Sequence, residues 1–283
     1  MTLTVLADGN DDFPGAELFA INDTPERFAE VQAELFEPAD RVNFHMNTLL
    51  VETGGRKILI DAGFGHFLGP RFGVQARALA NAGVDPAEID TVVITHGHAD
   101  HFAGLLSPDL APRFPNAKIL WNAPEWDYWT SPRAVEDVTG SQLPQDIKDL
   151  FIATTQTVLT KTAPQVETVT VSDDLEIAPG LALSPAAGHT PHSVVAMLAS
   201  QGRAMLYASD TTLLVQQNAI APDWVAAFEY DGEALVKTRR RLLDRAASEE
   251  MVWFGYHAPF PALGRIARRG GAYAFVPSSW RWG

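Results

Sequence analysis

The run Thr95-His96-Gly97-His98-Ala99-Asp100-His101 places four metal-capable side chains within six residues. Imidazole nitrogen and carboxylate oxygen are donors that zinc and other first-row divalent cations accept. A tight turn aims alternate side chains at one point and the intervening ones at a neighbouring point, so His96 and His98 suit one ion and Asp100 and His101 a second. Two ions need more donors than this turn supplies. Three candidates stand near the ends of other apolar runs: His189 in Gly188-His189-Thr190-Pro191, Asp210 after residues 204–207, and His257 in Gly255-Tyr256-His257-Ala258-Pro259. Asp210 is the natural bridge, because one carboxylate can hold two cations about 3.5–4 Å apart and share them with a hydroxide. Two cations also depress the pKa of that water, giving a nucleophile near neutral pH.

Convergence of these residues requires strands that end at one place. Residues 48–60 form two apolar runs around Gly54-Gly55, a hairpin signal, and the second runs into Asp61-Ala62-Gly63. Residues 74–82 read as a helix closed by Gly83, and Asp85-Pro86 as the start of another. Residues 89–95 have the β-branched density of a buried strand that stops at His96. Further strands are expected at 118–121, 167–171, 181–184, 194–198, 204–207 and 251–255. Between 233 and 247, Leu235, Thr238, Leu242 and Ala246 mark one helical face, leaving Arg239, Arg240, Arg241 and Arg245 for a solvated one. Residues 121–162, with Trp121, Trp126, Tyr128 and Trp129 and several prolines, read as an irregular excursion with a weak helical pattern at 145–153. No repeat or linker separates halves, and the candidate donors run from 96 to 257, so one domain over 1–283 is expected.

Composition narrows the chemistry. The 283 residues carry 21 Lys and Arg against 35 Asp and Glu, a formal charge of −14, which disfavours a nucleic-acid partner. No cysteine is present, so any metal must sit on His, Asp or Glu, and no thiol nucleophile exists. The N-terminus lacks a basic region followed by an apolar stretch, and nowhere do about 18 apolar residues run together; a soluble cytoplasmic protein without a membrane partner is expected.

His-x-His-x-Asp-His, then Gly-His-Thr-Pro, a strand-terminal Asp and a late His together resemble the metallo-β-lactamase superfamily across nearly the whole chain. The resemblance implies an α+β fold, a four-layer αβ/βα sandwich with a dinuclear site along the edge between its two sheets. It implies His96, His98 and His189 at the first metal, Asp100, His101 and His257 at the second, and Asp210 between them. Asp61 resembles the acid that orients a ligand histidine, and His192, which departs from the superfamily's usual Gly-His-x-Pro-Gly-His, is expected at the pocket edge or behind a ligand. His45 and His66 match no motif. Within the superfamily, Phe114-Pro115-Asn116-Ala117, Glu125-Trp126-Asp127-Tyr128-Trp129, and residues 259–264 and 273–277 are similar to methyl parathion hydrolase and its lactonase relatives. Acyl-homoserine lactonases of another branch carry a substrate-contacting Tyr three residues after the bridging Asp; here that position is Leu213.

The expected reaction is attack of a metal-bridging hydroxide on a neutral ester or lactone, acyl-homoserine lactones included, with Asp210 and Asp100 assisting and organophosphate triester hydrolysis as a side activity. No Gly-x-Ser-x-Gly elbow is present. The metals are expected to be two divalent ions, zinc first, with Mn, Fe or Co accepted by the same donors. Phe64, Phe67, Trp126, Trp129 and Leu213 are the candidate pocket walls, and the resemblance implies a homodimer. The competing readings are a glutathione-thioester hydrolase, with Arg265, Arg268 and Arg269 as carboxylate binders, a flavin-linked di-iron redox protein, which would have Glu in place of His98, and a non-catalytic metal-binding protein of the same fold.

Overall fold

The structure is a computed structural model that describes residues 1–141 and 143–279. In chain order it runs β1 (Thr2–Pro14), α1 (Ala16–Phe19), α2 (Pro25–Glu34), β2 (Arg41–Thr53), β3 (Arg56–Ile60), α3 (Gln75–Asn81), β4 (Thr91–Ile94), α4 (Ala99–Phe102), β5 (Lys118–Asn122), α5 (Ala123–Trp129), α6 (Pro132–Gly140), α7 (Gln145–Thr162), β6 (Val166–Val169), β7 (Leu175–Ala178), β8 (Leu181–Pro185), β9 (Val194–Ser200), β10 (Arg203–Tyr207), α8 (Val215–Ile220), α9 (Gly232–Ser248), β11 (Val252–Phe254), β12 (Leu263–Arg269) and β13 (Ala272–Pro277). Two sheets form, ordered β1-β2-β3-β4-β5-β6 and β13-β12-β11-β10-β9-β8-β7. Helices α3 and α5 lie against the first sheet and α8 and α9 against the second, giving the four-layer αβ/βα sandwich.

The topology explains why distant donors meet. β3, β4, β5 and β6 are parallel, so Asp61 after β3 and His96 after β4 emerge at the same end. In the second sheet β10 is parallel to β11, and two antiparallel steps through β9 make β8 run with them. The turns after β8, β10 and β11 therefore deliver His189, Asp210 and His257 to one edge. The sheets are tied there by polar contacts: Val194 N donates to Thr95 O, and the Asn47 side-chain amide donates to the carbonyls of Tyr256 and Ala258. All four residues of β4 are buried, as expected of a parallel strand covered on both faces.

Several elements differ from the sequence reading. After the end of β5 this stretch contains three helices, and the prolines that suggested irregularity start them: Pro124 and Pro132 stand in the first turns of α5 and α6, and Pro144 caps α7. Proline is tolerated there because those N–H groups have no helical acceptor. α7 extends to Thr162, well past residue 153, carrying a buried face of Thr154, Thr155, Val158, Leu159 and Thr162, and the Thr157 and Thr162 hydroxyls donate to Ala153 O and Val158 O. Asp85-Pro86 opens a single 3-10 turn, with Asp85 accepting from Ala87 N. Arg239 is not on a solvated face: it is 1% exposed, and its guanidinium donates to the carbonyls of Thr211, Pro222 and Trp224.

Candidate metal centre

The His96–His101 turn leaves β4 and coils directly into α4. Gly97 is required by packing: a Cβ there would stand 2.1 Å from the Trp129 indole. Trp129 therefore sits against the turn. Its Nε1 and Gly97 N both donate to Glu125 Oε1, at 2.7 and 3.0 Å, and His192 N donates to Glu125 Oε2. Burial raises the Glu125 carboxyl, and these donors act against that shift.

The seven sequence-derived donors form two sets that share one residue. His96, His98, His189 and Asp210 make the first, and Asp100, His101, His257 and Asp210 the second; within each set the donor atoms lie within 4.8 Å of one another. Asp210 divides its oxygens, with Oδ2 3.2 Å from His189 Nε2 and 3.1 Å from His257 Nε2, and Oδ1 3.1 Å from His101 Nε2. Asp100 Oδ2 is 3.5 Å from the Nε2 atoms of His101 and His257. His98 Nδ1 lies 2.8 Å from His189 Nε2.

Four of the five rings are held from behind. Asp61 Oδ2 is 2.8 Å from His101 Nδ1 and also accepts from Thr95 Oγ1 and Tyr207 OH, while Oδ1 accepts from Thr95 N. His257 Nδ1 donates to His45 O, and the ring stacks on Phe44 at 3.7 Å. His101 stacks on Tyr256 at 3.8 Å. His96 Nδ1 faces the hydroxyls of Thr95 and Ser209, and His189 Nδ1 lies 2.5 Å from Glu229 Oε2. Asp61 and Ser209 both adopt left-handed backbone, φ 59° and 47°, strain that clusters at functional sites.

The donors present fit two divalent cations. His96 Nε2, His101 Nε2 and Asp210 Oδ1 are buried polar atoms without a hydrogen-bond partner, an arrangement that burial makes costly unless a cation faces them. The electrostatics agree. Burial alone would raise the Asp210 carboxyl, but His101, His257 and His189 outweigh it and hold the group well below the usual carboxylate range. Burial likewise opposes charge on His101 and His189, yet adjacent acids, Asp210 and Asp100 for the first and Glu229 and Asp210 for the second, lift His101 well above the ordinary range and His189 to about 10. His96 and His98, dominated by burial and neighbouring imidazoles, fall well below it. Carboxylates that draw positive charge onto buried rings mark a place that favours cations.

The centre opens on an apolar cavity of about 340 Å³ walled by Phe13, Leu18, Phe44, Met46, Phe64, Ile147, Phe151 and Leu213, with His98, Asp100, His189, Asp210 and His257 at its base. A more polar cavity of about 370 Å³ lies alongside, lined by Tyr128, Trp129, Asp137, Glu229 and Tyr230 and again reaching His98 and His189. Of the candidate pocket walls, Phe64 and Leu213 line the apolar cavity. Trp129 lines the polar cavity instead, and Phe67 and Trp126 line neither: Phe67 packs on the His66 ring and Trp126 edge-on against Trp121. His192 lines a further cavity that shares Tyr128, Pro191 and Tyr230 with the polar one. Its side chain is exposed, and only its backbone serves the site, through Glu125 and Asn122. Arg265, Arg268 and Arg269 line neither cavity, so the arginines of the thioester reading lie elsewhere. Glu229, Phe44 and Tyr256 were not singled out; Tyr256 adjoins a candidate donor, whereas Glu229 carries no motif or periodic signal.

The family model of the metallo-beta-lactamase superfamily matches residues 43–257. The chain belongs to the metallo-beta-lactamase superfamily. Among similar proteins, a UPF0173 metal-dependent hydrolase of Staphylococcus carnosus is 27% identical over 99 residues, 35% of this chain and 37% of the relative. A ribonuclease Z of Methanopyrus kandleri is 47% identical over 58 residues, 20% of this chain and 18% of that protein. The matches thus span well under half of either relative. Two solved structures share the fold over 99% of this chain at 24% identity: AidC, a dizinc quorum-quenching lactonase in complex with a product (TM-score 0.90, 95% of that chain), and the hydrolase AbOPH of the beta lactamase superfamily (TM-score 0.85, 94% of that chain).

Proposed function

We propose that the protein is a dinuclear metal-dependent hydrolase that opens lactones or cleaves esters bearing an apolar acyl group, acyl-homoserine lactones foremost, with organophosphate triesters as a side activity. The observation that carries this reading is the position of the two donor sets, sharing Asp210, at the base of an apolar cavity. Its volume falls within the range of small-molecule sites, about 300–1,000 Å³. The likeness in fold to a quorum-quenching lactonase supports the substrate class.

In this reading His96, His98 and His189 hold one cation, Asp100, His101 and His257 the other, and Asp210 both. When bound, the pair supplies Lewis acidity and brings the pKa of water near neutrality, with zinc the first metal to test. The chain's own residues do the rest. Asp210 and Asp100, both in the cavity lining, would orient the attacking water, and Asp100 would take the released proton and return it to the departing alkoxide. Phe64, Phe151 and Leu213 hold the acyl group in a water-poor cavity. Leu213 has no hydroxyl, and among the described residues the apolar cavity's lining offers no tyrosine, serine or threonine toward the carbonyl oxygen. No covalent acyl-enzyme is involved.

The test is a hydrolysis panel of acyl-homoserine lactones, γ-lactones, aryl esters, methyl paraoxon, a glutathione thioester and a β-lactam. Turnover of lactones or esters, lost on Asp210→Ala, is expected. Inactivity on all of them with turnover of the thioester or β-lactam overturns the substrate class.

A further inference from the structure

Glu229 lies in the segment between α8 and α9 and has no place in the donor sets, yet its side chain is only 1% exposed and its Oε2 sits 2.5 Å from His189 Nδ1. The contact is built into the backbone on both sides. Tyr230 N donates to His189 O and Asp231 N to Gly188 O, so the Glu229 segment and the His189 turn are clasped together. Gly188, at φ 135°, packs so closely on α9 that a Cβ would stand 2.3 Å from Leu235 N. The buried Arg239 then ties the loop preceding Glu229 to the turn carrying Asp210, donating to Trp224 O and to Thr211 O. With the backbone so placed, Glu229 Oε2 is positioned to accept the His189 Nδ1 proton, which leaves Nε2 as the donor atom toward a cation beside Asp210 and raises that nitrogen's basicity.

The two donor sets are unequal without it. The second has two imidazoles, Asp100 and a share of Asp210; the first has three imidazoles and only the shared Asp210. On donor charge the second set binds a divalent cation more tightly. Behind the second set stands Asp61, on His101. Behind the first, His96 meets only hydroxyls, and among the described residues Glu229 is the carboxylate hydrogen-bonded to one of its rings. We propose that Glu229 is a positioning residue that sets the cation affinity of the three-histidine set, and so decides whether the centre holds one divalent ion or two. The inference rests on the metal-dependent reading above.

Zinc titration against a competing chelator, on protein first stripped of metal, tests it. Wild type is expected to take two equivalents. Glu229→Gln, close to isosteric but uncharged, is expected to keep one equivalent at wild-type affinity and to bind the other about 10–100-fold more weakly. A second arm separates positioning from general damage. In a His98→Ala background, where the three-histidine set is already broken, adding Glu229→Gln should leave the remaining equivalent unchanged, whereas adding Asp61→Asn should weaken it. Two equivalents at wild-type affinity in Glu229→Gln overturn the proposal, and so does equal weakening of both. If Glu229→Gln does not fold by circular dichroism, Glu229→Asp is read by the same criteria. Wild type that binds no zinc removes the metal-dependent reading itself, a result distinct from failure of this inference alone.

Discussion

Replacing Asp61 by Asn perturbs the centre without touching a candidate metal donor, and its size can be worked from four hydrogen bonds. Asp61 is fully buried, accepting from Thr95 N through Oδ1 and from Thr95 Oγ1, Tyr207 OH and His101 Nδ1 through Oδ2. An asparagine has one acceptor oxygen. If its NH₂ takes the Oδ2 position, its two hydrogens can serve the Thr95 and Tyr207 hydroxyls turned to accept, and His101 Nδ1 is left without its acceptor. If the amide flips, Thr95 N loses its acceptor, a buried loss of about 1–3 kcal/mol. In either arrangement the charge is gone, and the surviving bonds each drop by roughly 1 kcal/mol. Relief from burying that charge offsets part of the loss. A net destabilisation of about 2–4 kcal/mol is expected in urea unfolding of chelator-treated protein, together with zinc affinity at the His101 set lowered about 10–100-fold. A variant within about 0.5 kcal/mol of wild type, with unchanged zinc binding, would refute the claim that the Asp61 charge organises this side of the centre.

Gly97→Ala forces a methyl into the Trp129 indole and should destabilise by about 1–3 kcal/mol and weaken metal binding; Trp129→Leu in the same chain should restore part of both, and strict additivity in the double-mutant cycle contradicts the contact. Arg239→Met leaves three buried carbonyls without their donor and should lower stability by about 3 kcal/mol or more in urea unfolding, whereas Lys237→Met on the exposed face of α9 should stay within about 0.5 kcal/mol. Asp8 is fully buried, and burial raises its carboxyl from 3.8 to about 6 despite backbone donors from Gln75, Gly65 and Phe64. The folded state therefore holds the proton more tightly than the unfolded chain. That contribution is complete below pH 3.8 and is lost as pH rises through about 6, an effect of up to about 3 kcal/mol. Stability of wild type relative to Asp8→Asn should fall by that order between pH 4 and 7, and a difference independent of pH contradicts the assignment.

The candidate site was readable because its chemistry is concentrated. Four donors stand in one short run, and the other three follow buried strands that the topology points the same way. The parts that escaped share a different physics. β1 contains Asp8, Gly9, Asn10, Asp11 and Asp12, residues poor in strand propensity, and holds its pairing with β2 across a register shift between Ala7 and Gly9. α5, α6 and α7 hid behind prolines that begin helices. Glu229 is an isolated acid in a connecting segment, and its role exists only through the fold that sets it beside His189. Trp126 and Trp129 share one short helix, and tertiary packing alone decides which of them reaches the centre.

Two donor sets sharing Asp210 are proposed to hold the two divalent cations that hydrolysis requires. The measurement that tests this most directly is metal content per chain, by elemental analysis of the purified wild type and its Asp210→Ala variant, paired with lactone hydrolysis on the same samples. Two equivalents in the wild type, at most one in the variant and no turnover by the variant are predicted. A wild type that hydrolyses lactones at full rate without metal, or a variant that keeps both ions and its activity, would contradict the account.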